Sequence, residues 1–138
     1  MSPFETFDHT ADIGLRVIAD KLPSLFEDAG RGFYSLIIDN IDAIQLRDER
    51  TFSLSADSLE VLYMNWLNEL LFCFETELLV LTDFEIHLSD YHLTGRARGE
   101  VLDIRRHQTH FNIKAITYHQ LQVSRTDRGW LAEVILDI

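Results

Sequence analysis

A helical stripe of large apolar residues between positions 59 and 74 constrains the fold more than any other feature. Leu62, Trp66 and Leu70 recur four residues apart, and other apolar residues share their face: Leu59, Tyr63, Leu67, Leu71 and Phe74. This spacing predicts an amphipathic helix, and Asp57 with Glu60 predicts a capping box at its start. A stripe of this size means that the helix must pack on something large.

A second helical pattern precedes this one in the chain. Pro23 introduces it, and Ser24 followed by Glu27 predicts a capping box. Its apolar stripe comprises Leu25, Ala29, Phe33, Leu36 and Ile37 and ends near Ile38. Gly30 and Gly32 lie within the helical period, where each costs roughly 1 kcal/mol relative to alanine. We expect another element to pack closely against these two glycines.

Elsewhere the apolar residues have a period of two, which is typical of half-buried strands. Such alternation occurs over residues 13–17, 52–54 and 84–88 and in two C-terminal segments. Hairpin turns are predicted at Ser89-Asp90-Tyr91, before a strand over 92–101, and at Thr126-Asp127-Arg128-Gly129. The element order predicts an α+β fold with both helices on one face of an antiparallel sheet.

Composition indicates one globular domain. The 138 residues contain no repeat and no Pro/Gly-rich linker, so we expect a single domain over 1–138. No run approaches the roughly 20 apolar residues of a membrane span, and the first residues lack a signal-peptide pattern. Cys73 is the single cysteine, so no internal disulfide can form, and this favours a reducing cytoplasm. We expect Cys73 to be buried as a small apolar residue.

The charge balance is strongly acidic. Twelve Lys and Arg residues stand against 23 Asp and Glu residues, for a formal net charge of −11. Such a surface repels phosphate backbones, which disfavours direct binding of RNA or DNA. The same charge suits divalent cations or a basic surface on another protein.

Acidic residues near both ends of the chain are candidates for a cation site. The stretch Asp8-His9-Thr10-Ala11-Asp12 places two carboxylates, an imidazole and a hydroxyl before a strand. The last strand ends in Asp137 and Ile138, whose terminal carboxylate would be another hard oxygen ligand. If Asp12 converges with that pair, the three carboxylates would suit Ca²⁺ or Mg²⁺ far better than zinc. Spacing alone does not connect positions 12 and 137.

The strand predicted over 112–124 changes phase in its middle. Thr117 and His119 share the parity of its apolar residues, whereas Ile116 and Tyr118 have the opposite parity. A buried polar group without a partner costs roughly 1 to 3 kcal/mol. Either a bulge shifts the phase, or Thr117 and His119 face a polar site.

The remaining histidines show no metal-ligand pattern. His87 and His92 form no pair at helical spacing and have no cysteine pair nearby. His107 and His110, which lie beside two arginines, are expected to be solvated. Neither a Gly-rich phosphate loop nor a nucleophile elbow occurs. Residue patterns alone therefore lead to an acidic α+β domain with a candidate carboxylate cation site.

Three stretches taken together resemble the archease family. They are residues 7–14 (FDHTADIG), 114–119 (KAITYH) and 134–138 (VILDI), and the resemblance extends from residue 4 to the last residue. It implies a strand-helix-strand-strand (SHS2) fold in which a second such unit is inserted into the first.

The resemblance also implies a function. Archeases are accessory proteins of the RtcB-type RNA ligase, which joins RNA ends with GTP and a divalent metal in tRNA splicing or RNA repair. They promote guanylylation of the ligase and so allow multiple turnover, without being enzymes themselves. The ligase would be the partner of this chain, with no direct contact to nucleic acid or membrane.

Site residues follow from the same resemblance. Asp12, Asp137 and the Ile138 carboxylate would bind the cation, which would be Ca²⁺ or Mg²⁺, with Mn²⁺ as a third candidate. Lys114 would be essential at the same site. The supporting residues would be His9, Thr10, Thr117 and His119.

Three rival functions stay open at this point. In a metal-assisted hydrolase, Asp12 and Asp137 would hold a cation and His9 or His119 would be the general base. A small-molecule-binding module would contain an apolar pocket and leave a ligase unaffected. In a plain interaction adaptor, Asp12 and Lys114 could be replaced without loss.

Overall fold

The computed structural model describes residues 3–9 and 12–138, and for residues 8 and 9 it describes the backbone. The described elements are, in chain order, β1 (Phe4–His9), β2 (Asp12–Ala19), α1 (Leu22–Ile37), β3 (Asp48–Ser55), α2 (Leu59–Glu77), β4 (Leu79–Ser89), β5 (His92–Val101), β6 (Ala115–Thr126) and β7 (Gly129–Asp137). A short 3₁₀ turn at Ile41–Ala43 follows α1. Both predicted hairpin turns are confirmed, between β4 and β5 and between β6 and β7.

Within residues 3–9 and 12–138, the strands form two antiparallel sheets, ordered β1-β2-β7-β6 and β3-β5-β4. The elements β2, α1, β6 and β7 make one strand-helix-strand-strand unit. The elements β3, α2, β4 and β5 make a second unit, inserted between α1 and β6. The α+β class and the inserted unit are therefore confirmed. The one sheet expected from element order is in fact two, because β5 pairs with β3 and β4 while β6 pairs with β7.

The helices lie between the two units and contact both sheets. Helix α1 packs mainly on β4 and β2, with smaller contacts to β7 and β1, whereas α2 packs mainly on β6 and has smaller contacts with β4, β3 and β5. Two buried hydrogen bonds join the helices. The indole Nε1 of Trp66 donates to the carbonyl of Phe26 at 2.9 Å, and the hydroxyl of Tyr34 donates to the carbonyl of Leu70 at 3.1 Å. One cluster of buried apolar residues consequently spans both units.

The two glycines of α1 allow the close packing that the sequence predicts. A Cβ added at Gly30 would lie 2.6 Å from the ring of Phe84 on β4. A Cβ added at Gly32 would lie 3.0 Å from Leu15 on β2 and 3.0 Å from the ring of Phe4 on β1. Strands of both sheets therefore approach α1 at these glycines, which explains their presence within the helix.

The start of α1 differs from the predicted capping box. Lys21 is the N-cap and makes no side-chain capping bond, because its ammonium group has no acceptor for the N–H groups of the first turn. Ser24 therefore does not form the expected box with Glu27. Instead, the carboxylate of Glu27 accepts a hydrogen bond from the backbone N–H of Ile86 at 2.9 Å and so joins α1 to β4.

Helix α2 buries the predicted stripe, but its cap shifts by one residue. The hydroxyl of Ser58, rather than Asp57, accepts a hydrogen bond from the N–H of Val61 at 3.3 Å. Cys73 is buried as expected, and burial raises the pKa of its thiol to about 11. Neither helix of the described chain combines the length and apolar character needed to cross a membrane.

The expectation of a solvated His107 is wrong. Its side chain is fully buried, and its Nε2 lies 3.2 Å from a carboxylate oxygen of Glu100, which is itself buried. The Nδ1 atom accepts a hydrogen bond from the N–H of Asp103 at 2.9 Å, so the proton resides on Nε2 and is donated to Glu100. His110 is half exposed, as expected, and lies 2.8 Å from Asp39.

Candidate metal centre

Strand register brings together the two acidic residues that sequence spacing could not connect. Asp12 at the start of β2 lies directly opposite Asp137 at the end of β7. Residues directly opposite in an antiparallel pair project from the same face, with Cβ atoms about 4.5 to 5.5 Å apart. Both residues are partly exposed. Their carboxylates are therefore within reach of a single cation at one end of the four-stranded sheet.

Lys114 flanks the same residue from the other side. Ala115 pairs with Asp137, and the N–H of Lys114 donates to the carbonyl of Asp137 at 2.7 Å. The Lys114 side chain is exposed. Ile138 follows the last residue of β7 and is partly exposed. The backbone thus places Asp12, Lys114 and Asp137 on three adjacent strands or their immediate extensions.

The structure places the supporting residues of the first motif only in part. The backbone of His9 lies opposite Asp12 in the β1–β2 register. Thr10 and Ala11 lie outside the described residues. The strand that carries His9 was absent from the sequence prediction.

Two residues after Asp12 on β2, Gly14 leaves space for the aromatic ring of Phe7. Gly14 lies opposite Phe7, and the Phe7 ring occupies the space that a Cβ at Gly14 would fill. The guanidinium of Arg16 lies 5.0 Å from the centre of that ring and forms ion pairs with Glu5 and, at 3.2 Å, with Glu133. The hydrogen bonds that Arg16 donates to these two carboxylates raise the pKa of its guanidinium group. These contacts fix β1 to β2 and so position the end of β2 where Asp12 lies.

The phase change in β6 is a bulge. The register shifts between the Thr117–Ile135 and Gln122–Glu133 pairs, and Gln120 has a left-handed φ of 56°. The hydroxyl of Thr117 donates to the carbonyl of Ile135 at 2.9 Å and accepts from the N–H of His119 at 3.2 Å. His119 is exposed within the bulge. Of the two alternatives for this strand, the bulge is correct, and Thr117 ties it to β7.

The donor set fits a hard divalent cation. Carboxylate oxygens are preferred ligands of Ca²⁺ and Mg²⁺, which take six or more oxygen ligands in all. Among the side chains that the structure describes, those of residues 3–7 and 12–138, no three of His, Cys, Asp or Glu are grouped closely enough to hold a metal. Asp12 and Asp137 would therefore supply two ligands, and main-chain oxygens or water would supply the others.

Comparison with known proteins agrees with this fold and with the family resemblance of the sequence. Residues 4–138 match the model of the archease protein family (MTH1598/TM1083). The archease of Pyrococcus abyssi is 34% identical over 143 residues, and that of Methanopyrus kandleri is 35% identical over 140 residues. These alignments cover 100% of both chains in the first case and 99% of both in the second. The chain belongs to the archease family.

Solved structures of similar proteins have the same fold. The solution structure of Methanobacterium thermoautotrophicum protein 1598 superimposes with a TM-score of 0.86 at 31% identity, covering 100% of both chains. The crystal structure of an archease and possible chaperone from Thermotoga maritima gives a TM-score of 0.66 at 18% identity, covering 97% of this chain and 96% of that one. The second likeness concerns the fold alone.

Proposed function

We propose that this chain is an accessory protein of an RtcB-type RNA ligase, which promotes guanylylation of the ligase by GTP and allows multiple turnover in tRNA splicing or RNA repair. Membership of the archease family supports the proposal that the chain is an accessory protein. The observation that carries the proposal is the direct pairing of Asp12 with Asp137, with Lys114 bonded to the same strand end.

In this proposal the protein contributes charge and position, and it performs no catalysis of its own. Asp12 and Asp137 would hold Ca²⁺, Mg²⁺ or Mn²⁺, which when bound neutralises phosphate charge in the ligase nucleotide site. The ammonium group of Lys114 would contact a phosphate of the nucleotide, or a carboxylate of the pair when the cation is absent. These groups lie at one end of a sheet, where a partner can reach them.

Charge favours a protein partner that itself binds RNA. The chain carries a net charge of −11, whereas a surface that binds RNA is basic. Opposite surface charges accelerate encounter and disfavour wrong partners. The acidic chain would bind the ligase and leave contact with the RNA to it.

Multiple-turnover ligation with the RtcB-type ligase of the same organism tests the proposal. Reactions with GTP and excess RNA would compare no addition, wild type, Asp12→Ala and Lys114→Ala. We expect acceleration by wild type and its loss in both variants. If wild type leaves turnover unchanged, the proposal is wrong.

The chain offers matched controls at the opposite end of β2. Asp20 and Lys21 are exposed and lie about 26 Å from Asp12, at roughly 3.3 Å per strand residue. Lys21 is also the only lysine besides Lys114. Asp20→Ala and Lys21→Ala should retain full acceleration, which separates loss of the site from loss of surface charge.

A cavity favours small-molecule binding as a second candidate function. It has a volume of about 560 Å³, and its wall includes Phe4, Ile41 and Leu46 together with Arg31 and Arg98. Pockets of this size at the junction of two units commonly bind small ligands. This candidate would be favoured over the first if an amphipathic anion raised the unfolding temperature of the protein saturably and the protein had no effect on the ligase.

A further inference from the structure

The segment that contains β6 differs in charge from the rest of the chain. Residues 104–126 include no Asp or Glu and four Lys or Arg residues, although 23 of the 138 residues are acidic. The other 115 residues therefore carry a net charge of −15. Depletion of acidic residues together with an exposed tyrosine is typical of the centre of a protein–protein interface.

The bulge in this segment presents an aromatic side chain to solvent. Tyr118 is 66% exposed, and His119 and Gln120 beside it are also exposed. The left-handed φ of Gln120 is uncommon for a residue with a side chain. The two hydrogen bonds of Thr117 hold the start of the bulge against β7. Tyr118 is thus displayed on a backbone of defined shape, which lowers the entropy lost on binding.

The bulge lies close to the paired aspartates. Ala115 pairs with Asp137, and Tyr118 follows three residues later, at most about 10 Å along the strand. A protein interface of ordinary size covers about 800 Å² on each partner, which corresponds to a radius of roughly 16 Å. Any interface of this size that is centred within about 6 Å of Asp137 therefore also covers Tyr118.

We propose that Tyr118 is the anchor residue by which this protein docks on the ligase, through a neutral, aromatic surface formed by the β6 bulge. This inference rests on the proposed function and adds the contact surface to it. The acidic remainder of the chain steers the encounter over long range, and the acid-free bulge makes the close contact. A net charge of −11 argues against an RNA strand as the occupant of the same surface.

The test measures ligation rate as a function of the concentration of this protein, together with its direct equilibrium binding to the ligase. The variants are Tyr118→Ala, Tyr118→Phe and a matched control, Tyr91→Ala. Tyr91 is 49% exposed in the β4–β5 turn of the other sheet. Thermal unfolding of each variant checks that the fold is retained, as expected for exposed side chains.

We expect Tyr118→Ala to raise the concentration for half-maximal activation and the dissociation constant at least about tenfold, with the maximal rate unchanged. Tyr118→Phe should retain most of the affinity, because it keeps the ring, and Tyr91→Ala should match wild type. If wild type activates the ligase and Tyr118→Ala matches it, the docking inference is wrong and the proposed function stands. If wild type binds through Tyr118 without accelerating ligation, the docking inference stands and the proposed function is wrong.

Two further outcomes would overturn the inference. If wild type neither binds nor accelerates the ligase, the docking surface and the proposed function are both wrong. If Tyr118→Ala weakens binding of the isolated protein to the RNA substrate and leaves its affinity for the ligase intact, the bulge contacts RNA instead.

Discussion

Asp12 and Asp137 lie directly opposite each other on neighbouring antiparallel strands, although they are 125 positions apart in the sequence. The pairing depends on β2 and β7 being adjacent in the four-stranded sheet, with β6 on the far side of β7. Each strand end therefore contributes one group, and the site forms only when the unit of β2, α1, β6 and β7 has folded. The cation affinity of this site can therefore be measured on the isolated protein, without any partner.

Removing either carboxylate should weaken binding of a divalent cation. Asp12→Asn and Asp137→Asn keep the side-chain shape and remove one negative charge, and we expect at least roughly tenfold weaker binding, because cation affinity depends on the number of charged ligands. Isothermal titration calorimetry with Ca²⁺ and Mg²⁺ measures it. Asp20→Asn, at the other end of β2, should bind like wild type. Unchanged affinity in both site variants would mean that the pair does not hold the cation.

An extension at the C-terminus tests the remaining ligand implied by the family resemblance. If the main-chain carboxylate of Ile138 binds the cation, a short Gly-Ser extension after Ile138 converts it to an amide and should lower cation affinity, since a neutral carbonyl replaces a charged oxygen. The same calorimetric titration measures this change. An extension at the N-terminus serves as the control. Equal affinities in the two extended proteins would remove Ile138 from the ligand set.

Local patterns predicted the helices well because their determinants lie within a few residues of each other. The stripe around Trp66 repeats at helical spacing, and nearly all of it is buried. By contrast, β1 (FETFDH) lacks clear alternation, so no local signal identified it. The division into two sheets depends on which strands pair, and element order alone does not determine pairing.

The candidate site shows the same division between local and long-range information. The motif stretches identified Asp12, Lys114 and Asp137, but only the registers of β2 and β6 against β7 place them together. His107 was misjudged because two arginines precede it, whereas its buried partner, Glu100, lies on the preceding strand. Aligning that partner requires the turn at 103–107, whose backbone bonds are not visible in the residue pattern.

Glu100 should make stability depend on acidic pH. The hydrogen bond from Arg106, aided by one from the N–H of Gln45, lowers the pKa of Glu100 to about 2 from a model-compound value of 4.5, against the opposing effect of burial. Because the folded-state pKa is the lower one, the carboxylate stabilises the fold above about pH 4.5, and this contribution is lost as pH falls towards 2.

Glu100→Gln should therefore lower the free energy of unfolding by roughly 2 to 3 kcal/mol at pH 7, with a smaller difference from wild type at pH 3. Urea unfolding at several pH values measures both. Glu75→Gln, at an exposed position on α2, should stay within about 0.5 kcal/mol of wild type. A difference between Glu100→Gln and wild type that does not change with pH would contradict the assignment.

Tyr63 offers a substitution that should stabilise the protein. Its side chain is fully buried in α2 with its ring edge-on to Phe26, and among the described residues its hydroxyl has no hydrogen-bond partner. Burial raises the pKa of that hydroxyl above its usual value. A buried, unpaired hydroxyl costs roughly 1 to 3 kcal/mol, and phenylalanine removes it while keeping the ring in place.

We expect Tyr63→Phe to raise the free energy of unfolding by about 1 kcal/mol, measured by urea denaturation at pH 7. Tyr34→Phe is the matched control, because the Tyr34 hydroxyl is equally buried but donates to the carbonyl of Leu70. Its loss leaves that carbonyl with one partner fewer and should lower stability by about 1 kcal/mol. The two variants should thus move in opposite directions. If Tyr63→Phe destabilises the protein as much as Tyr34→Phe does, an ordered water must be bonded to the Tyr63 hydroxyl.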